Sequence, residues 1–349
     1  MRAHAAPPRR CSPDATRSVR RRVGWRSWAP VWPRSQARLD RRRRRAARAA
    51  YRVLPGCSRT RSSMVIVVTG AAGKTGQAVL TALAERGAEA WGVVRRDEQR
   101  ASVRAAGGLG AVVADLRDPG ALERAVTGAD AVYHIGPNLH PQEREIGESV
   151  LAASEQGGVD RVVYHSVLHP QTEAMPHHWR KLRVEERLLE HGLAGTVLQP
   201  AAYMQNLSSY WDEIVSTGRL RLPYDPSARV ALVDLGDVAE VAAAVLTKPG
   251  HEAATYQLCG APGPSQHEVA AAAAEVLDRP VTAERMDPAS WEERTRAGGL
   301  DAERVGTLRA MFAYYERHGL PGNTRVLEWL LGRAPTPLSE SLARLVTRG

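Results

Sequence analysis

Seven residues, Gly70-Ala71-Ala72-Gly73-Lys74-Thr75-Gly76, have the types and spacing to hold a pyrophosphate. In such a run one glycine permits a tight turn and a second lets the backbone approach the phosphates. The third lets a helix pack closely on a strand, and unpaired N–H groups at the helix start attract the negative charge. The setting gives the spacing its force. Val65-Ile66-Val67-Val68-Thr69 precedes it as a buried strand, and Ala78, Leu80, Leu83 and Ala84 follow at helical spacing.

Further along, the end of the second apolar run reads Val93-Val94-Arg95-Arg96. A dinucleotide-binding chain specific for NAD places Asp or Glu there for the ribose 2′-hydroxyl, whereas arginine suits a 2′-phosphate. NADP is therefore expected ahead of NAD, unless both guanidinium groups turn to solvent. After the third run, Asp115-Leu116 is placed to meet the adenine ring, with a plain turn as the competing reading.

Candidates for proton chemistry are fewer. His177 begins a helical segment, and an imidazole with an ordinary pKa near 6.5 could act as a general acid there or simply face solvent. His165 and His178 read as structural or exposed residues. No group of His, Asp and Glu has metal-ligand spacing, and Cys11, Cys57 and Cys259 are too few and scattered for a disulfide framework. Cys259 reads as a small core residue, and a reducing, cytoplasmic compartment is expected.

These residues need a frame, and the pattern from Met64 onward supplies one. Short apolar runs near 65–69, 89–95, 110–114, 130–135, 160–165 and 194–199 alternate with helical spacing near 74–87, 98–107, 118–127, 142–157 and 177–191. That alternation predicts an α/β fold, a Rossmann doubly wound parallel sheet with the strand order of a dinucleotide-binding domain. Beyond 200 the pattern loosens into strands near 229–234 and 255–259. Helices are predicted near 236–247, 265–278, 288–298, 301–317 and 323–331, so that residues 200–349 form a smaller, mostly helical C-terminal cap on the substrate side. Tyr203, Tyr210, Trp211, Met311 and Tyr314 are candidates to line a pocket beneath that cap.

The chain has 349 residues, of which 43% are hydrophobic, enough to fill a sizeable core, and a net charge of +10. The charge is unevenly placed. Residues 1–63 hold 19 arginines against Asp14 and Asp40, so the remaining 29 basic and 36 acidic residues give a body of −7. This leader lacks periodicity and is expected to be disordered. It could be a basic arm for nucleic acid, an organelle transit peptide, or a twin-arginine address without its apolar core. The favoured expectation is that it is not a working part and that translation begins at Met64. No apolar run is long enough to span a bilayer, so no membrane association is expected.

With these elements placed, residues from Met64 to about Leu345 resemble the NmrA-like family of atypical short-chain dehydrogenase/reductases. The resemblance rests on the 68–76 run, on Lys181 through Glu185 to Thr196-Val197-Leu198-Gln199-Pro200, and on Tyr203-Met204-Gln205-Asn206. Asp237-Val238-Ala239 and Leu331-Gly332-Arg333-Ala334-Pro335 add to it. It implies that Lys181 reaches the nicotinamide ribose and that Tyr203, Met204, Gln205 and Asn206 line the nicotinamide end. His134, Ile135, Gly136 and Pro137 would pass over the cofactor, and Ser166 would hold the place of the superfamily's catalytic serine.

Two departures stand out. Gln199 occupies a position where the family usually has Arg, which removes an expected ion pair, and His177 stands four residues before Lys181 where the superfamily's Tyr-x-x-x-Lys pattern has tyrosine. Without that phenol, alcohol dehydrogenation and epimerisation are disfavoured. The expected function is an NADPH-dependent oxidoreductase acting on a quinone-like or other small carbonyl acceptor. The alternative is a non-catalytic NAD(P) sensor that regulates a protein partner such as a transcription factor.

Overall fold

The computed structural model describes residues 64–346; the Arg-rich leader, and what was expected of it, lies outside the described residues. β1 (Val65–Val68), α1 (Lys74–Glu85), β2 (Glu89–Val94), α2 (Arg100–Ala105), β3 (Gly110–Val113) and α3 (Pro119–Val126) form the first half of the main layer. β4 (Ala131–His134), α4 (Glu143–Gln156), β5 (Arg161–His165), α5 (Pro176–Glu190) and β6 (Ala194–Pro200) form the second. All four residues of β1 are buried, as a strand covered by helices on both faces requires.

The two halves diverge from the paired strands β1 and β4, where Ile66 lies beside Ala131 and Val68 beside Tyr133. This reversal of strand order opens a crevice at the strands' C-terminal ends, the place where doubly wound sheets bind ligands.

The chain continues through β7 (Ala202–Tyr203), α6 (Ser208–Thr217), β8 (Arg219–Leu222), β9 (Leu232–Val233), α7 (Leu235–Thr247) and β10 (Thr255–Leu258). α8 (Gln266–Leu277), β11 (Thr282–Arg285), α9 (Pro288–Ala297), α10 (Ala302–His318), α11 (Arg325–Leu331) and α12 (Leu338–Val346) complete it. β10 runs parallel to β6, with Leu258 beside Pro200, giving the main sheet seven strands in the order β10-β6-β5-β4-β1-β2-β3. The sequence pattern counted six and left this segment in the cap region. α7 also belongs to the main layer: it is apolar nearly all round, is buried along its length and packs on α1.

The rest of the C-terminal half is mostly helical, as expected, around a two-stranded parallel sheet of β8 and β11. Its centre is aromatic. Tyr224 stacks on Phe312, with ring centroids 5.5 Å apart, and Trp291 meets Phe312 edge-on at 5.1 Å. Trp211 is buried in the same core, and Tyr210, Met311 and Tyr314 pack against it from half-buried positions. No described helix is long and apolar enough to cross a membrane.

Candidate functional site

The glycine turn leaves β1 through Thr69, and Gly70 takes a left-handed φ of 62°. A Cβ on Gly70 would lie 3.1 Å from the Ile135 carbonyl oxygen, and one on Gly76 would lie 2.4 Å from that of Gly70. Neither contact leaves room for a side chain, so the turn and the first turn of α1 are fixed by glycine. Gly73 caps α1, no side chain bonds to the helix N-terminus and no acidic residue stands in its first turn. The N–H groups there are thus open to an anion, which is what a pyrophosphate needs.

At the end of β2 the two arginines differ. Arg96 is committed to Glu98, with its Nε 2.5 Å from Glu98 Oε1. The backbone N–H groups of Arg95 and Arg96 both donate to Gln99 Oε1 at 3.0 Å, which holds this corner in place. Two neighbouring guanidinium groups are also occupied: Arg100 pairs with Asp97, and Arg117 with Asp115 at 2.7 Å. Arg95 is exposed and, among the described residues, its side chain makes no ion pair. Hydrogen bonds from Arg117, with Arg95 nearby, push the Asp115 carboxyl down to about 2. Leu116, beside it, is half-buried.

On the other side of the crevice, β4 ends at the buried His134, whose Nδ1 lies 2.9 Å from the Thr69 hydroxyl. The Ile135 N–H donates to the same hydroxyl at 2.9 Å, tying the 134–137 segment to the glycine turn. His134 stacks on Tyr164, and its Nε2 has no hydrogen-bond partner. Gly136 admits the buried Glu143, whose Oε1 would lie 2.2 Å from a Cβ at that position. Glu143 in turn accepts from Lys181 Nζ at 2.7 Å and from the Tyr164 hydroxyl at 3.1 Å. Lys181 also donates to the His165 carbonyl at 3.3 Å. It is thus held at the end of β5 by a carboxylate that the sequence did not single out.

Two expected catalytic groups are differently disposed. Ser166 is buried and donates to Glu185, whose oxygens also accept from Gln199 Nε2 at 3.1 and 3.0 Å. Gln199 therefore replaces the expected ion pair with neutral hydrogen bonds, and burial pushes the Glu185 carboxyl up. His177 is the second case: burial, with help from His178 and Lys181, pushes it down to about 2, so it is neutral near pH 7 and is no imidazolium acid. His178, whose Nδ1 donates to the His169 carbonyl 3.2 Å away, is structural.

The 203–206 stretch divides as well. The Asn206 side-chain oxygen accepts from Lys74 Nζ at 3.1 Å and the Tyr203 hydroxyl lies 3.3 Å from Thr75 Oγ1, so both touch the cofactor turn. Met204 is buried in the core. Gln205 points elsewhere: its amide meets Asp234 Oδ2 at 2.7 Å, Ser341 Oγ at 3.2 Å and the Leu235 N–H at 2.9 Å. Its hydrogen-bonding capacity is spent on bracing the loop, which corrects its expected contact with the cofactor.

His165, read from the sequence as structural or exposed, is buried and links two phenols. Its Nδ1 is 2.5 Å from the Tyr133 hydroxyl and its Nε2 is 2.6 Å from that of Tyr203, making a phenol–imidazole–phenol chain from the buried ends of β4 and β5 to the half-buried β7. Burial pushes His165 down to about 3, so the ring is neutral. The two C-terminal motifs likewise prove to be one contact, with Asp237 accepting from Arg333 at 2.8 Å and from Thr336 N at 2.7 Å.

The family model of the NmrA-like family matches residues 62–344. The chain belongs to the NmrA-like family. An NAD(P)H azoreductase of Xenophilus azovorans is 32% identical over 277 residues, covering 79% of this chain and 96% of that protein. Quinone oxidoreductase 2 of Escherichia coli is 25% identical over 282 residues, covering 80% of this chain and 98% of the relative. The crystal structure of an NADPH-dependent quinone oxidoreductase from Escherichia coli, complexed with NADPH, shares the fold with a TM-score of 0.72 at 24% identity. It covers 80% of this chain and 99% of that one.

Proposed function

We propose that this NmrA-like protein is an NADPH-dependent oxidoreductase that reduces a quinone-like or other small carbonyl acceptor. The observation that carries the reading is the uncommitted guanidinium of Arg95 beside an uncapped α1 N-terminus, an arrangement made for NADP. When bound there, NADPH supplies a hydride. Gly70 to Gly76 would hold the pyrophosphate, Arg95 the 2′-phosphate, and Lys181, braced by Glu143, the ribose at the nicotinamide end.

The acceptor class follows from what α5 lacks. With neutral His177 in place of a phenol, the helix offers no acid paired with Lys181 for alcohol or sugar chemistry. A quinone or an azo bond is an electron-poor acceptor that takes two electrons readily, and relatives named for both kinds of reduction share most of this chain's length.

The test is NADPH oxidation followed by absorbance with a panel of quinones and an azo dye. Turnover with at least one acceptor is expected. Tight NADPH binding without turnover of any acceptor would instead favour a redox sensor that signals to a protein partner.

A further inference from the structure

Reduction of a quinone consumes a proton as well as a hydride, and α5 supplies no acid for it. We propose that Tyr203 is the proton donor, made ready by His165 and Tyr133; this rests on the oxidoreductase reading above.

The argument is one of hydrogen-bond accounting. Tyr133 is fully buried, and its hydroxyl has no recorded partner among the described residues other than His165 Nδ1, 2.5 Å away. A buried O–H left without an acceptor carries its full desolvation penalty, so Tyr133 donates and Nδ1 accepts. The ring is neutral, held so by burial, and has one hydrogen to place. With Nδ1 accepting, that hydrogen sits on Nε2 and is donated to the Tyr203 oxygen at 2.6 Å. Thr75 Oγ1, at the start of α1, donates to the same oxygen at 3.3 Å.

The Tyr203 oxygen therefore accepts twice, while its own hydrogen is claimed by no group among the described residues. Burial pushes the phenol up, so it is protonated near pH 7, while the hydrogen bond from Thr75 acts the other way and favours the phenolate. The position is right for a proton donor: Tyr203 follows β6 at the C-terminal end of the sheet, against Thr75 in the first turn of the cofactor helix.

The step balances as follows. A quinone that has taken up a hydride is a hydroquinone monoanion. The Tyr203 O–H bond breaks and an O–H bond forms on the hydroquinone oxygen. The phenolate left behind is held by the two hydrogens pointing at it, from His165 Nε2 and Thr75 Oγ1, and takes a proton from solvent when the product leaves. In this scheme Tyr203 is the catalytic residue and His165 and Tyr133 are positioning residues.

Two measurements test it. Nitrogen-detected NMR of the imidazoles in the NADPH-free protein should show His165 as the single neutral tautomer with hydrogen on Nε2, and Tyr133→Phe should shift it toward the other. Tyr203→Phe should lower kcat with a quinone by about 100-fold, the lower end of a general-acid contribution, while the NADPH dissociation constant stays within about twofold. A hydrogen on Nδ1 in the wild-type protein would commit the Tyr203 hydrogen to the ring and overturn the proposal. So would a Tyr203→Phe protein with near wild-type quinone turnover, or one whose loss comes from weakened NADPH binding. A wild-type protein that reduces no quinone removes the oxidoreductase reading itself, and the wild-type control tells that result from the others.

Discussion

Replacing Arg95 with alanine separates the phosphate of NADP from everything else the site binds. Arg95 is the guanidinium at the β2 corner without a recorded ion pair, while Arg96, Arg100 and Arg117 are held by Glu98, Asp97 and Asp115. A hydrogen bond to a charged group contributes about 1.5 to 3 kcal/mol. At about 1.4 kcal/mol per tenfold, that is roughly 10- to 150-fold in affinity. Because Arg95 is exposed, salt screens the interaction and the lower part of the range, about 10- to 30-fold, is expected at physiological ionic strength. Fluorescence titration with NADPH and with NADH measures it directly. Arg95→Ala should weaken NADPH by that factor and leave NADH within about twofold, and the NADPH effect should shrink as salt rises. Arg96→Ala, which removes a residue already paired, should change either cofactor by less than about threefold. Equal losses for NADPH and NADH, or a larger effect from Arg96, would refute the assignment of the 2′-phosphate to Arg95.

Two further outcomes follow from buried groups. His134 and His165 are both pushed down to about 3 by burial, well below the unfolded value near 6.5, so the unfolded chain binds more protons between these limits. Their contribution is complete above pH 6.5 and is lost as the pH falls toward 3. Together they should cost about 3 kcal/mol per pH unit between roughly pH 5.5 and 4.5, and a urea midpoint that stays level across that window would contradict it. Asp237→Ala should destabilise by about 2 to 4 kcal/mol in urea melts, since it leaves the buried Thr336 N–H and hydroxyl without their acceptor and leaves Arg333 with Glu240 alone of its two carboxylates. A loss under about 0.5 kcal/mol would mean that this tie is dispensable.

The parts of the site that a linear reading finds are those whose physics is local. A left-handed turn at Gly70 and the close packing at Gly76 involve neighbours a few residues away, and Val65 to Val68 announces a buried strand by composition alone. β10 was read as a strand but not as part of the main sheet, because its Thr-Tyr-Gln-Leu sequence lies at the sheet edge, half-exposed, and carries little of the apolar signal of an inner strand. The phenol–imidazole–phenol chain escaped for a different reason. Its members stand 32 and 38 residues apart and meet only because β4, β5 and β6 end side by side. Glu143, which holds Lys181 from 38 residues away, is hidden in the same way. Gln205 and His177 were misjudged because position in a motif says where a side chain stands, not whether its hydrogen bonds are already spent or its charge suppressed.

The brace formed by Gln205 also sets a timetable. Its partner Ser341 is 136 residues further along the chain, so the loop carrying Tyr203 and Asn206 is complete only when α12 has been made and docked. At roughly 5 to 20 residues per second, about 7 to 27 s of synthesis separate the two ends of that single amide contact. For that interval the glycine turn and its helix can already be folded while the wall opposite them is held through Asp234 and Leu235 but lacks its tie to α12. A nascent chain should therefore gain its grip on the phosphates before it gains the ordered nicotinamide end. Truncation within α12 should reproduce that intermediate stage in a finished protein.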